Sequence, residues 1–461
     1  MQQTFSRSWT SLYCPEIQIE CCSVGFRLQQ KPGFQNMFNR RKFIGTIPAS
    51  AVAIAAWNDG CVATAQTSTS ADAEFNDVIA SPPVVQNPRQ DGFGVSIAVS
   101  QLATAWVEYG LAEDDLRFTA KASHHGLIAA DDQALHVRVS HSELLSAAKT
   151  IFYRVIVQPL SYRNAYELQR GVPQSTAIYP LRLPSWDSTK VRVVSINDTH
   201  ENLETIRKLH AMIEHYAPDA LIWNGDTCND FDAKDSPAQI MLNPGQDKSL
   251  AWASTRPLIF SNGNHDVRGE RARETIRCFA GCPESIELPY NQSLRMGPLA
   301  LLTLDTGEDK PDAHPVFAGT AAYEPYRVKQ AKWLQQAFDR PEIGSAPLKI
   351  AACHIPLRGL QGSNDGTTLE GFASYSGFGA SLWLPTLYSH QCQAILSGHT
   401  HRDRVDAPTE DAPIHQFVGG GPQPSSATLT IIDAESAGDT ATLQIRVVDL
   451  AGRRLHEHRW S

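Results

Sequence analysis

Seven residues of this chain belong to the types that hold metal ions through carboxylate, amide or imidazole groups: Asp198, His200, Asp226, Asn264, His354, His399 and His401. They follow five short apolar runs. VVSIN leads into Asp198-Thr199-His200, and LIWN into Gly225-Asp226. LIFSN leads into Gly263-Asn264-His265-Asp266, KIAAC into His354, and AILSG into His399-Thr400-His401. Any one of these alone reads as a polar turn, but the five in this order read as one constellation. Seven oxygen and nitrogen donors exceed what one tetrahedral zinc needs and suit two ions sharing a carboxylate. Mixed imidazole and carboxylate donors without thiolate favour iron, manganese or zinc over calcium, and disfavour magnesium alone. Carboxylates crowded this closely also repel one another unless cations neutralise them.

The elements that must position these donors follow from the apolar runs. KVRVVSIND, DALIWNG, RPLIFSNGN, PLALLTLDT, APLKIAACH and QAILSGH read as short strands, with helical stretches near Glu201–Tyr216 and Tyr326–Asp339. Near-continuous apolar strands imply sheets buried on both faces. In open α/β sheets the carboxyl ends of the strands are where ligands bind, and glycine beside three of the donor groups lets the backbone turn sharply there. The pattern predicts a mixed α/β domain from 186 to 461, closing in the alternating strands SATLTIIDAE and TATLQIRVVDL.

The series Asp-x-His, Gly-Asp-x-x-Asn, Gly-Asn-His-Asp, an isolated His and Gly-His-x-His resembles the calcineurin-like metallophosphoesterases over roughly residues 190–402. The resemblance implies a four-layer αββα sandwich with a dinuclear centre between strand-end loops. Carried over by position, Asp198, His200 and His401 would hold one metal. Asn264, His354 and His399 would hold the other, and Asp226 would bridge both. Leu304-Asp305-Thr306-Gly307-Glu308 also resembles a stretch common in bacterial members. The purple acid phosphatases look related, but they place a tyrosinate where this chain has Asn229, and they lack the histidine that stands here as His200. Their colour is therefore not expected.

The chemistry implied is hydrolysis of a phosphoric ester. Two ions a few ångströms apart can acidify a bridging water from a pKa of about 15.7 towards neutrality, and metal-bound hydroxide would attack phosphorus with no phospho-enzyme. His265 is not needed as a ligand and is the candidate general acid for the leaving alkoxide, with Asp266 expected to orient it. Arg268 and Arg271 either reach a phosphate or lie on a solvated helix face around GERARETIR, which is the favoured reading. Cys353 should point away from His354 into a core, and Cys228 is read as structural. His314 and His390 read as ordinary loop residues.

Upstream, GFGVSIAVS places Phe93, Val95, Ile97 and Val99 on one strand face, and TIFYRVIVQP does the same with Ile151, Tyr153, Val155 and Val157. With ATAWVEYG they predict an all-β sandwich over 91–185. Trp106–Gly110 and Phe152–Val155 resemble the fibronectin-III-like domain that precedes purple acid phosphatases. Residues 66–90 are polar and proline-containing and read as a linker. Arg40, Arg41 and Lys42, the 15 uncharged residues Phe43–Trp57, and Ala63-Thr64-Ala65 have the layout of an export signal. The paired arginines resemble a twin-arginine signal over 37–65, a receptor-read address. Translation is then expected to start at Met37, with 1–36 a mis-assigned extension, and the product to pass through the twin-arginine machinery to the periplasm or beyond.

Composition sets the outer limits. The chain has 461 residues, with 40 Lys+Arg against 49 Asp+Glu and a formal net charge of −9, which excludes the basic footprint of a nucleic-acid binder. No uncharged apolar run reaches about 18 residues, which excludes a multi-span membrane protein. The leader would carry off Cys14, Cys21, Cys22 and Cys61. Cys228, Cys278, Cys282, Cys353 and Cys392 remain, and a disulfide between Cys278 and Cys282, which bracket Phe-Ala-Gly, is open if their loop closes. Three other readings stand beside the phosphatase. They are a phosphodiesterase or nucleotidase on the same ligands, a non-catalytic metal-containing binding module, and an adhesion protein built on the sandwich.

Overall fold

A computed structural model describes Phe75 and residues 77–461, apart from 148–149, 280–285, 360–375 and 411. The leader at 37–65, the segment before it and Cys282 lie outside the described residues. Strands Ala220–Asn224, Leu258–Ser261, Leu299–Thr303, Leu348–Ala352 and Ala394–Ser397 are buried at every position. Such runs cannot face water, so they form the centres of two stacked sheets.

The larger sheet has nine strands. Its order is Arg454–Trp460, Thr440–Asp449, Thr428–Ala437, Lys190–Ile196, Ala220–Asn224, Leu258–Ser261, Val84–Arg89, Gly92–Ala98 and Ala134–Ser140. Its centre is parallel, from Lys190–Ile196 through Leu258–Ser261. The second sheet has six strands, in which Leu299–Thr303, Leu348–Ala352, Ala394–Ser397 and His415–Val418 run parallel. Val193, Ile222 and Ile259 of the first meet Leu301, Ile350, Leu396 and Phe417 of the second in a shared core.

Helices cover both outer faces. Leu203–Tyr216 starts at Asn202, whose side chain accepts from the Thr205 N–H at 3.2 Å and satisfies one of the free donors of the first turn. Ile206, Leu209 and Ile213 fall at helical spacing on one face and pack on Val194, Ile196 and Trp223. Each fully buried side chain of this kind contributes about 1.5–3 kcal/mol. On the other side, Tyr323–Asp339 and Ser376–Ser389 bury Trp333, Leu334, Phe338, Trp383 and Leu387 against Ala300, Leu302 and Ile395. The layers are therefore αββα, with an additional β portion on the N-terminal side.

That β portion is joined to the larger sheet. Phe93, Val95, Ile97 and Val99 do share a face, and they pack on Val107, Tyr153, Val155 and Val157. Val107 and the three from Ile151–Asn164 belong to a separate sheet, so a two-layer sandwich exists. Its other layer, however, is the end of the nine-stranded sheet, where Gln86 pairs in parallel with Leu258. Residues 84–89, expected to lie in a linker, are thus a strand. The turn-forming pair Asn87-Pro88 concealed it, because Asn87 takes a positive φ of 46° where the register shifts between Gln86 and Arg89.

The added strands cover the edge of Leu258–Ser261, an apolar edge that would otherwise invite pairing with another chain. Tyr153 Oη also donates to the Ser254 carbonyl at 2.8 Å, and Gln86 Nε2 to the Cys278 carbonyl at 2.9 Å. A fragment beginning at residue 186 should therefore precipitate or melt without a cooperative transition. Calorimetry against the full chain checks this, and a sharp transition in the fragment would show that the two parts fold independently.

Candidate metal centre

All five donor groups sit where strands end. Lys190–Ile196 delivers Asp198 and His200, Ala220–Asn224 delivers Asp226, Leu258–Ser261 delivers Asn264, Leu348–Ala352 delivers His354, and Ala394–Ser397 delivers His399 and His401. Because the central strands of each sheet are parallel, these ends lie on one side and the donors converge. Asp198, His200, Asp226 and His401 form one group and Asp226, His354 and His399 a second, each with its donor atoms within 4.8 Å of one another. Asp226 belongs to both.

The separations match donors around common points. His200 Nε2 is 3.1 Å from His401 Nε2, and Asp198 Oδ1 is 3.3 Å from His401 Nε2. Asp226 Oδ2 lies 3.4 Å from His200 Nε2 and 3.2 Å from His354 Nε2. Two ligands about 2.1 Å from one ion at right angles stand about 3 Å apart. His399 Nδ1 lies 2.7 Å from Asn264 Oδ1, which brings the remaining expected donor to the second group.

The surroundings aim the donors inward. The His399 N–H donates to Asp198 Oδ2 at 2.8 Å, and Asn197 Nδ2 donates to the same oxygen at 2.5 Å, so that Oδ1 faces the centre. His354 Nδ1 donates to the Asn224 carbonyl at 2.7 Å, which leaves the lone pair on Nε2. Asp198 Oδ1 and His354 Nε2 are buried with no hydrogen-bond partner among the described residues. Lone pairs turned towards one another in a buried space need protons or a cation between them, and the donor set fits a cation.

The same demand appears in the protonation equilibria. Burial by itself lowers the His354 imidazole, yet the Asp226 and Asp198 carboxylates outweigh it and raise it to about 10. Burial pulls the Asp226 carboxyl up, but His354 and His200 hold it well below the usual range. Burial, with His354 adding, lowers His399 to about 4.

The backbone is strained at the same points. Asp198, His200, Asp226, His399 and His401 all have φ between 41° and 71°, a region that non-glycine residues rarely adopt and that marks functional sites. Gly263 is required by this packing. A Cβ there would lie 2.2 Å from Asp226 Oδ1 and 2.3 Å from its backbone nitrogen. Gly263→Ala should displace Asp226 and lower kcat/KM about 100-fold, the cost of roughly 1 Å of misplacement. Metal analysis and rate measurements on the folded variant check this, and wild-type values for both would contradict it.

His265 and Asp266 part company. The His265 ring is beside the centre, with its centroid 4.8 Å from that of His200. Asp266 does not touch the His265 ring, contrary to expectation. It is fully buried and accepts from the N–H groups of Asp226 at 2.9 Å, Thr227 at 2.9 Å and Gly263 at 2.8 Å. Burial, reinforced by the charge of Asp226, raises its carboxyl to about 6. It therefore fixes the loop that carries Asp226. The His265 ring is held instead through Nδ1 by the Asn229 carbonyl, with Asp230 at 3.5 Å, and Arg268 Nη1 lies 3.3 Å from Nε2.

Arg268 is not on a solvated helix face. Its guanidinium clamps the fully buried Glu308 at 2.7 and 2.5 Å and reaches Asp309 at 2.9 Å. Arg271, half-buried to the same degree, pairs with Glu274 three positions on and donates to the Asp235 carbonyl at 2.7 Å. Cys353 is buried in the outer core, and Cys228 and Cys278 are buried free thiols. His390 stacks on Phe338, His314 accepts the Val316 N–H, and neither belongs to a donor group. Asn197, Asn224 and Thr227 also support the centre, although sequence reasoning did not single them out. Asn197, an amide immediately before a strand-end carboxylate, carried the one readable signal.

A family model described as calcineurin-like phosphoesterase matches residues 191–403, a span that holds all seven donors. Among solved structures the chain is similar to PhoD at a TM-score of 0.50 and 12% identity, covering 83% of this chain and 93% of that one. Residues 191–461 alone cannot supply that coverage, so the likeness in fold includes N-terminal strands. TT1561 of Thermus thermophilus matches at a TM-score of 0.33 and 14% identity, over 59% of this chain and 99% of its own. Yfce, a phosphoesterase from E. coli, matches at 0.28 and 13%, over 58% and 98%. No curated protein sequence matches at a significant level.

Proposed function

We propose that the chain, whose residues 191–403 match the calcineurin-like phosphoesterase family, hydrolyses phosphoric esters at a centre of two metal ions. The observation that carries the reading is the double membership of Asp226, whose carboxylate belongs to both donor groups. Asp198, His200 and His401 would hold one ion and Asn264, His354 and His399 the other, with Asp226 between them. Iron, manganese or zinc suits this mixture of imidazole, amide and carboxylate. Bound there, two ions would make a water acidic enough to act as nucleophile near neutral pH and would neutralise charge on the phosphoryl oxygens.

The residues around the donors have separate tasks. Asp198 and Asp226 carry the negative charge that keeps cations in place. Asn197, Asn224 and Asp266 hold the strand-end loops, so that the donors need no rearrangement when substrate arrives. The leaving oxygen must gain a proton, and His265 is the residue placed to give it. A carbonyl can only accept, so the proton of the resting ring is on Nδ1, facing Asn229. Donation from Nε2 requires a second proton there and withdrawal of Arg268 Nη1.

The twin-arginine-like stretch at 37–65 supports export, and the N-terminal sandwich, which continues the larger sheet, would buttress that sheet. Esters are distinguished by assay. The full chain supplied with manganese, iron or zinc should hydrolyse p-nitrophenyl phosphate or bis(p-nitrophenyl) phosphate. The ratio of the two rates assigns monoesterase or diesterase, and a chelator should abolish both. A chain that binds two ions and hydrolyses neither would be a binding module.

A further inference from the structure

We propose that Glu308 is a positioning residue for His265, acting through Arg268; the inference rests on the phosphoesterase reading above. Glu308 is completely buried, and burying a lone carboxylate there would be costly without a partner of opposite charge. The partner is specific. Arg268 donates Nε to Glu308 Oε2 at 2.7 Å and Nη2 to Oε1 at 2.5 Å, a fork that fixes the plane of the guanidinium. Nη2 also reaches Asp309 at 2.9 Å, which leaves Nη1 as the remaining terminal nitrogen, and it lies 3.3 Å from His265 Nε2. A guanidinium only donates, so Nε2 accepts from it.

His265 stands on a loop and is about a quarter exposed, with the His200 ring on one side, so its packing restrains it only in part. The two ring nitrogens provide the restraint, Nδ1 on the Asn229 carbonyl and Nε2 on Arg268. Glu308 is in turn held from behind. Arg327, buried in the outer helix layer, donates to the Thr306 carbonyl at 2.7 Å and to the Glu308 carbonyl at 2.5 Å, and the Asp309 N–H donates to Glu308 Oε1 at 2.8 Å. A rigid path thus runs from Arg327 through the 306–308 backbone, Glu308 and Arg268 to His265. It also gives the Leu304–Glu308 stretch a task that the metal donors do not explain. An incoming phosphate ester competes for Nη1 through its negative oxygens, which frees Nε2 while Nε and Nη2 stay on Glu308.

The test uses the full chain loaded with manganese, and compares Glu308→Gln and Arg268→Lys with wild type on an alkyl phosphate and on p-nitrophenyl phosphate. Both variants remove the fork. The expected result is a fall in kcat of about 10- to 100-fold on the alkyl ester, the order expected for a misplaced group. On the aryl ester, whose leaving group departs without a proton, kcat should change by less than about threefold; metal content should hold in both variants, and KM in Glu308→Gln, which keeps the Arg268 charge that meets the phosphate. In a His265→Ala background, Glu308→Gln should add no further loss. Equal losses on the two esters, a change confined to KM, a rise in kcat, or full additivity with His265→Ala would each overturn the positioning role. Thermal melts separate these outcomes from misfolding, and Glu308→Asp, which keeps the charge, should recover part of the rate. A wild-type chain inactive on both esters would overturn the phosphoesterase reading and this inference with it.

Discussion

Asp226→Asn should yield a folded protein that has lost its metal and at least about 1,000-fold in kcat/KM, a loss of roughly 4 kcal/mol in transition-state stabilisation. The substitution keeps the shape of the side chain, and an amide oxygen can still accept the His265 N–H that Asp226 Oδ1 now takes at 2.9 Å. What it removes is the charge shared between the two donor groups. Oδ2 lies 3.4 Å from His200 Nε2 and 3.2 Å from His354 Nε2, so one atom serves both sides of the centre. Losing it weakens both ions together, unlike loss of His401, which belongs to one group only. His401→Ala should accordingly retain more metal than Asp226→Asn. Elemental analysis of the two variants decides this, and an Asp226→Asn protein with two ions per chain would remove Asp226 from the bridging position.

The donors were legible because strand geometry is legible. An apolar run that ends in a polar residue, in three cases just after a glycine, marks the carboxyl end of a buried strand, and parallel strands put those ends side by side. Asp198, Asp226, Asn264, His354 and His399 can be located on that basis without any knowledge of their distances. The left-handed φ at Asp198, His200, Asp226, His399 and His401 cannot, because strain is imposed by loop closure in three dimensions.

Partner choice within a loop was equally hidden. Asp266 is next to His265 in the chain, yet neighbouring side chains on a tight turn diverge, and its carboxylate turns inward to three backbone N–H groups. Arg268 looked like one charge on a solvated helix because its partner, Glu308, is 40 residues away. Val84–Arg89 was missed for a related reason. Its Asn87-Pro88 pair carries a turn signal, and only the uncovered edge of Leu258–Ser261 shows why a strand belongs there.

His265→Ala should lower kcat on an alkyl phosphate by about 100- to 10,000-fold, the usual worth of a positioned proton donor. The effect should shrink on an aryl ester that leaves as a stable anion, because no proton is then needed in the transition state. KM and metal content should hold, since the ring lies outside both donor groups. Position favours the role: the ring is 4.8 Å from that of His200, beside the donor groups. Against it stands the resting arrangement, in which Nε2 accepts from Arg268 and the one ring proton faces Asn229. The two are reconciled if substrate draws Arg268 Nη1 away, and the leaving-group comparison tests that step directly. An alkyl-ester kcat unchanged by the substitution would mean that Arg268 never releases the ring, and the proton for the leaving oxygen would then have to come from water.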